Sequence, residues 1–249
     1  MTDPGTRNQQ ISRRRFVRTG SAGVVLSGLA GSLLAGERLA AASVMPDVVR
    51  DLPETPQEAL QLLMEGNARW VRGEPEHPNQ SIARREEVAP HQDPFAVVIS
   101  CIDSRVPPEL VFDRGLGDMF DIRTGAQALD NQVVLGSIEF GPLNYPSARL
   151  VFVLGHQRCG AVSAAINVFK SRGSAPGYIQ AVVNALRPAY NVAVKQKGDM
   201  VGNMVRAQTL LTVSRLQADP ELKKLIDSDG LVIVGGEYRI DTGVVNIIT

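Results

Sequence analysis

Thiols are scarce in this chain. Its 249 residues hold two cysteines, Cys101 and Cys159, and three histidines, His77, His91 and His156. No Cys-x-x-Cys occurs, so a thiol–disulfide exchange enzyme of that pattern has no motif here. No third cysteine exists to close a thiolate-rich structural metal site. Net charge is absent too: 26 Lys and Arg balance 26 Asp and Glu. Nothing in that balance calls for nucleic acid or an anionic membrane surface as partner. Internal repeats are missing, and residues 43–249 contain no low-complexity tract. Composition is ordinary for a globular protein, which excludes disordered and fibrous classes. The length suits one compact domain of about 200 residues plus a tail.

The charge balance hides an asymmetry. Residues 1–42 carry six arginines against Asp3 and Glu37, leaving a net charge of −4 on the rest. Ser12-Arg13-Arg14-Arg15-Phe16-Val17-Arg18 precedes an uncharged stretch from Thr19 to Gly36, and Ala40-Ala41-Ala42 follows. A basic region, an apolar region and a small-residue site read as a signal peptide. The Ser-Arg-Arg-x-Phe order resembles the twin-arginine export signal. We therefore expect a signal peptide over 1–42 and one domain over 43–249, exported to the periplasm, the cell surface or the medium. The alternative is a membrane anchor, since about 18 uncharged residues is near the lower limit for spanning. In the cleaved form, membrane contact ends with the signal peptide. Twin-arginine export, as the resemblance implies, carries folded proteins, so a metal would be loaded before export.

In the remaining chain, Thr55-Pro56-Gln57-Glu58 is a helix start, with Thr55 as N-cap, Pro56 at the first turn and Glu58 completing a capping box. Apolar residues at helical spacing run on to Trp70-Val71, and Gly73 and Pro75 end the helix. Phe95–Ser100, Arg149–Gly155 and Leu231–Gly235 are short, continuous, β-branched-rich apolar runs, which read as strands buried on both faces. Phe120–Arg123 reads as a shorter strand. Helices are expected over Asn131–Phe140, Cys159–Phe169 and Val201–Gln217. Alternating strands and helices predict an α/β fold, a mainly parallel central sheet flanked by helices.

Two of these strands end in polar motifs. The first leads into Cys101-Ile102-Asp103-Ser104-Arg105 and the second into His156-Gln157-Arg158-Cys159-Gly160. Both lie just past the carboxyl ends of predicted parallel strands, where open α/β sheets place their sites. If those strands are neighbours, Cys101, His156 and Cys159 converge. Two thiolates and an imidazole suit Zn²⁺. His77 and His91 sit in polar segments and read as solvated loop residues, so the ligand count is three and a fourth position stays open for water, as in catalytic zinc sites. Asp103, two residues from a ligand, can orient that water or take the fourth position itself. Arg105 can clamp its carboxylate bidentately.

Cys101-x-Asp103-Ser-Arg105 followed by Gly155-His156-x-x-Cys159-Gly160, at this separation, resembles the β-carbonic anhydrases. Glu65-Gly66-Asn67-Ala68-Arg69-Trp70, Gly136–Phe140 and Gly235–Gly243 are similar to further segments of that family, so the resemblance runs from about Thr55 to the C-terminus. It implies Cys101, His156 and Cys159 as zinc ligands and Asp103 with Arg105 as the dyad that orients the nucleophile. It further implies that Gln92 hydrogen-bonds substrate and that Gly160 lies with its backbone close to the site. A homodimer or homotetramer is implied, with the pocket near the subunit interface. The chain departs from the family after Arg123: an Ala-Gly-Asn-like turn is usual, and Thr124-Gly125-Ala126-Gln127 stands here.

The activity implied is reversible hydration of carbon dioxide to bicarbonate and a proton, in a pocket lined by apolar side chains. Two rivals remain at this point: hydrolysis of carbonyl sulfide or carbon disulfide on the same zinc site, and a non-catalytic zinc-stabilised binding protein.

Overall fold

The structure, a computed structural model, describes residues 52–249. The export segment expected over residues 1–42 lies outside them.

Five strands share one sheet: β1 (Ala96–Cys101), β2 (Met119–Thr124), β3 (Leu150–His156), β4 (Val232–Tyr238) and β5 (Val245–Ile247). Their order is β2-β1-β3-β4-β5, with four parallel strands and β5 antiparallel to β4. The described residues also form nine helices: α1 (Pro56–Arg72), α2 (Ile82–Glu87), α3 (Pro108–Val111), α4 (Gln132–Asn144), α5 (Gly160–Ser171), α6 (Ile179–Ala185), α7 (Arg187–Ala193), α8 (Met200–Gln217) and α9 (Pro220–Ser228), of which α1, α4 and α8 pack directly on the sheet. This is the mainly parallel α/β sheet flanked by helices that the residue pattern predicts.

Every residue of β1 and β3 is buried. Ala96, Val98, Leu150, Phe152 and Leu154 face one layer, with Ala59 and Leu63 of α1. Val97, Ile99, Val151 and Val153 face the other, with Ile138 of α4, Val213 and Leu216 of α8 and Leu222 of α9. Burial on both faces is why these strands read as unbroken apolar runs. Each fully buried Ile, Leu or Phe contributes about 1.5–3 kcal/mol relative to exposure.

The helix starts follow their caps. Thr55 Oγ1 accepts from Glu58 N, and Glu58 Oε2 accepts from Thr55 N, both at 3.2 Å. Gly73 ends α1 in the left-handed region. Asn131 caps α4, which runs past its expected end and carries Pro142 into its last turn. α6 and α7 escape a reading by period because Pro176, Gly177 and Pro188 punctuate their region and leave pieces of only about two turns each. α9 opens on Asp219-Pro220-Glu221, a cap signature that was open to reading.

Strand order positions the site. From β1 the chain steps to β2 on one side, then to β3 on the other. The winding reverses between β1 and β3, and ligands bind at the carboxyl ends of strands at such a switch point. The β1–β3 register pairs Ile99 with Val153. Carried two residues further, it sets Cys101 beside Gly155 and next to His156. A Cβ on Gly155 would stand 2.2 Å from Thr209 Oγ1, so glycine lets α8 lie close against this strand end.

Candidate metal centre

Cys101 is the last residue of β1, His156 the last of β3, and Cys159 the N-cap of α5. All three are buried. One donor atom from each lies within 4.8 Å of the others, and among the described residues this is the one such group of His, Cys, Asp or Glu. The neighbouring strands the motifs required are therefore present, and the three residues converge.

The donors fit a tetrahedral zinc ion. The two Sγ atoms are 3.8 Å apart. Two sulfurs each about 2.3 Å from one tetrahedral centre are separated by about 3.8 Å. His156 Nδ1 lies 2.9 Å from Gln157 O. A carbonyl only accepts, so Nδ1 carries the proton and Nε2 presents its lone pair. Nε2 is buried with no protein partner, as a ligand atom aimed at a metal would be. As a pair the thiols hold unequal charge. The hydrogen bond from Cys159 draws the Cys101 pKa down, and the same bond, with burial and the nearby thiolate charge, pushes Cys159 up. Two thiolates at this distance need a cation between them.

Asp103 and Arg105 stand at the mouth. Arg105 Nε donates to Asp103 Oδ1 at 2.9 Å, Nη2 to Oδ2 at 2.8 Å, and the Arg105 amide to Oδ1 at 3.0 Å. These bonds hold the Asp103 pKa down at about 2. The carboxylate is outside the three-donor group. Arg105 Nη2 also reaches Arg158 O at 3.4 Å, which ties the loop after β1 to the loop after β3.

Two contributors were not singled out from the sequence. Arg123 of β2 donates from Nε to Cys101 O at 2.9 Å and from Nη2 to Asp103 O at 2.6 Å. It grips the backbone of the motif that carries both a ligand and the carboxylate. Ala126, in a 3-10 turn over Gly125–Gln127, directs its N–H at Cys101 Sγ, 3.4 Å away. The departure from the Ala-Gly-Asn-like turn was the one sequence signal that pointed here.

Gln92 lies before the start of β1, whereas Cys101 is at the far end of that strand, which spans about 17 Å at 3.3 Å per residue. Gln92 Nε2 donates to Tyr145 Oη at 3.2 Å. Gly160 opens α5 next to Cys159, and an added Cβ there would meet nothing within 4 Å. His77 and His91 are exposed, as their polar surroundings predict. A groove of about 410 Å³ runs between β2 and α4, bounded by Phe120, Ile122, Val133 and Phe140 together with the polar Asp121 and Ser137, and no metal-group residue lines it.

Residues 96–245 match the family model described as carbonic anhydrase. Carbonic anhydrase 2 of Mycobacterium tuberculosis is 39% identical over 196 residues, 77% of this chain and 93% of that one. The carbonic anhydrase of Mycolicibacterium smegmatis is 36% identical over 197 residues, again 77% and 93%. In fold, the chain is similar to a tetrameric β-carbonic anhydrase of Sordaria macrospora, with a TM-score of 0.61 at 20% identity over 77% of this chain and 97% of that one. It is also similar to the β-carbonic anhydrase of Coccomyxa, solved with acetazolamide, with a TM-score of 0.60 at 23% identity over 76% and 86%.

Proposed function

This chain belongs to the β-class carbonic anhydrases, and from that membership we propose how its own residues carry the family reaction, reversible hydration of carbon dioxide to bicarbonate and a proton. That reaction is the activity of this chain. The observation that carries the residue assignment is the buried Cys101–His156–Cys159 group beside a carboxylate clamped by arginine.

Cys101, His156 and Cys159 would hold zinc, which when bound would supply the Lewis acidity to make water a nucleophile near neutral pH. Asp103, kept ionised by Arg105, accepts a hydrogen bond from the attacking water and fixes which lone pair faces the carbon. Arg105 supplies no proton; its two N–H groups on Asp103 and its reach to Arg158 O keep the carboxylate aimed. Asp103 becomes a fourth ligand only if Arg105 releases it. The open space over Gly160 is left for substrate.

The oligomer belongs to the same proposal. β2 is an edge strand, and Val133 (75% exposed) and Phe140 (51% exposed) flank it. An unpaired edge beside such a patch invites pairing. Tyr145, the partner of Gln92, packs its ring 5.2 Å from that of Phe120 on this face. A second copy of the chain covers the face as homodimer or homotetramer, and a substrate contact from Gln92 is made across that interface. Light scattering that finds only monomer would overturn this.

We also propose export by the twin-arginine route, supported by Ser12–Arg18 and the uncharged stretch behind it. Normal export of an Arg13→Lys/Arg14→Lys variant would contradict it.

The deciding experiment is stopped-flow carbon dioxide hydration with zinc measured on the same sample. Active protein with one zinc per chain is expected, and Cys159→Ser is expected to lose the metal. Full zinc content in Cys159→Ser would sink the ligand assignment.

A further inference from the structure

The turn from β2 toward α4 is held in a conformation that its residues do not favour. Ala126 (φ 52°, ψ 40°) and Gln127 (φ 54°) are successive L-residues in the left-handed region. A Cβ disfavours that region, and such a conformation persists where its surroundings over-determine it. Ala126 and Gln127 are 1% and 2% exposed. Gln127 Nε2 donates to Leu154 O at 2.7 Å, and Thr212 Oγ1 donates to Gln127 O at 3.4 Å. Ala128 N donates to Gly125 O at 3.2 Å and closes the turn. Gly125 leaves room for α6, since a Cβ there would stand 2.9 Å from Val182 Cγ1. The product of these contacts is one buried N–H, that of Ala126, on Cys101 Sγ.

We propose that Gln127 is a positioning residue for the metal centre. Its side-chain amide crosses from the turn to β3 and docks two residues before His156. It thereby holds the Ala126 N–H on the Cys101 sulfur and ties that sulfur to the strand carrying the imidazole. A hydrogen bond to a ligating thiolate draws off electron density and fixes the direction of the sulfur lone pairs. Gln127 touches neither substrate nor metal and acts only through Ala126 and Leu154. The proposal rests on Cys101 being a zinc ligand.

The test loads the wild-type protein with cadmium-113, a spin-half stand-in for zinc, and maps proton–cadmium couplings by NMR. Couplings to the β-protons of Cys101 and Cys159 are expected, with a further one to the Ala126 amide proton through the hydrogen bond. Cysteine couplings without the Ala126 coupling overturn this inference alone. No coupling to Cys101 overturns the metal assignment beneath it. Gln127→Met then removes the donor while keeping the length. It is expected to lose the Ala126 coupling, weaken zinc binding by about 10–100-fold, and shift the thiolate charge-transfer band of the cobalt-loaded protein to the red. Wild-type zinc affinity with an unshifted band overturns the role of Gln127. The cadmium couplings need no variant and decide the matter where Gln127→Met does not fold.

Discussion

Two aspartate–arginine pairs in this chain share their chemistry and differ in what they leave accessible. Asp113 and Arg69 lie 44 residues apart in sequence and are buried together, with side chains 1% and 8% exposed. Asp113 accepts from Arg69 Nε at 2.6 Å and from the amides of Glu76 and His77 at 3.0 Å each. Burial alone would push its pKa up. The Arg69 bond and the two amides outweigh burial and hold it below the usual carboxylate value. Asp103 and Arg105 are two residues apart at the mouth of the site, with side chains 14% and 49% exposed. Both carboxylates are ionised, and each accepts three hydrogen bonds from the protein. The first pair ties the chain after α3 to α1 and to Glu76 and His77 just past that helix; the second presents a charge two residues from a metal-group cysteine. Pairing does not tell structure from catalysis here, whereas access to the site does.

The largest break in this comparison comes from Asp113→Ala. It removes the buried partner of Arg69, leaving only the more distant Glu76 carboxylate at 3.7 Å, and unpairs two amides, and a loss of up to about 3–5 kcal/mol in unfolding free energy is expected. Turnover per folded, zinc-loaded molecule is expected near wild type. Urea unfolding paired with stopped-flow assays measures both, and an unchanged midpoint would dissolve the contrast.

Asp103→Ala reverses the pattern. Zinc content and melting temperature are expected to stay near wild type, while kcat/KM falls about 10–100-fold, the range for lost partners around a metal site. A melting loss as large as that of Asp113→Ala would make the Asp103 pair structural as well.

The pH dependence follows from the same pair. The Asp103 pKa of about 2 lies below its unfolded value near 3.9. The pair's contribution to stability is therefore complete above about pH 4 and is lost as pH falls through about 2. Loss of activity between neutral pH and about 4 then has another source. Carbon-13 NMR titration of the Asp103 carboxyl checks this, and a midpoint above 4 would refute it.

The smallest effect belongs to the turn behind Cys101. Ala126→Gly relieves a left-handed L-residue, worth about 1–2 kcal/mol, against a glycine entropy cost of about 0.5–1 kcal/mol. A gain of up to about 1 kcal/mol is expected, or about 2–4 °C in Tm, with zinc affinity unchanged because the N–H remains. A lower Tm would show that the turn is not strained at this position.

Legibility in the sequence followed physical locality. β1 and β3 were readable because burial on both faces leaves an unbroken apolar run, and α1 because its cap is written in four adjacent residues. β5 was not, since three residues ending a chain carry too little pattern, and its antiparallel pairing with β4 depends on the turn at Gly243. Cys101, His156 and Cys159 were readable because soft ligands are rare in this chain. Arg123 and Gln127 were not, because each acts by reaching a carbonyl on another strand. Nothing in Arg123-Thr124 or Ala126-Gln127 names Cys101 O or Leu154 O as the acceptor.

The residue types by themselves determined the chemistry available to this protein: two thiols, one imidazole near one of them, and a carboxylate two places from a guanidinium. Donor softness and acid–base character belong to the side chain and survive any fold. Only the tertiary structure decided that these groups meet. The order β2-β1-β3 makes β1 and β3 neighbours, and their register, carried to the strand ends, sets Cys101 beside Gly155 and one residue from His156. The left-handed turn at Ala126 then lays an N–H on the sulfur. Distances of 3–4 Å between residues tens of positions apart are set by strand order and packing, which no local pattern contains.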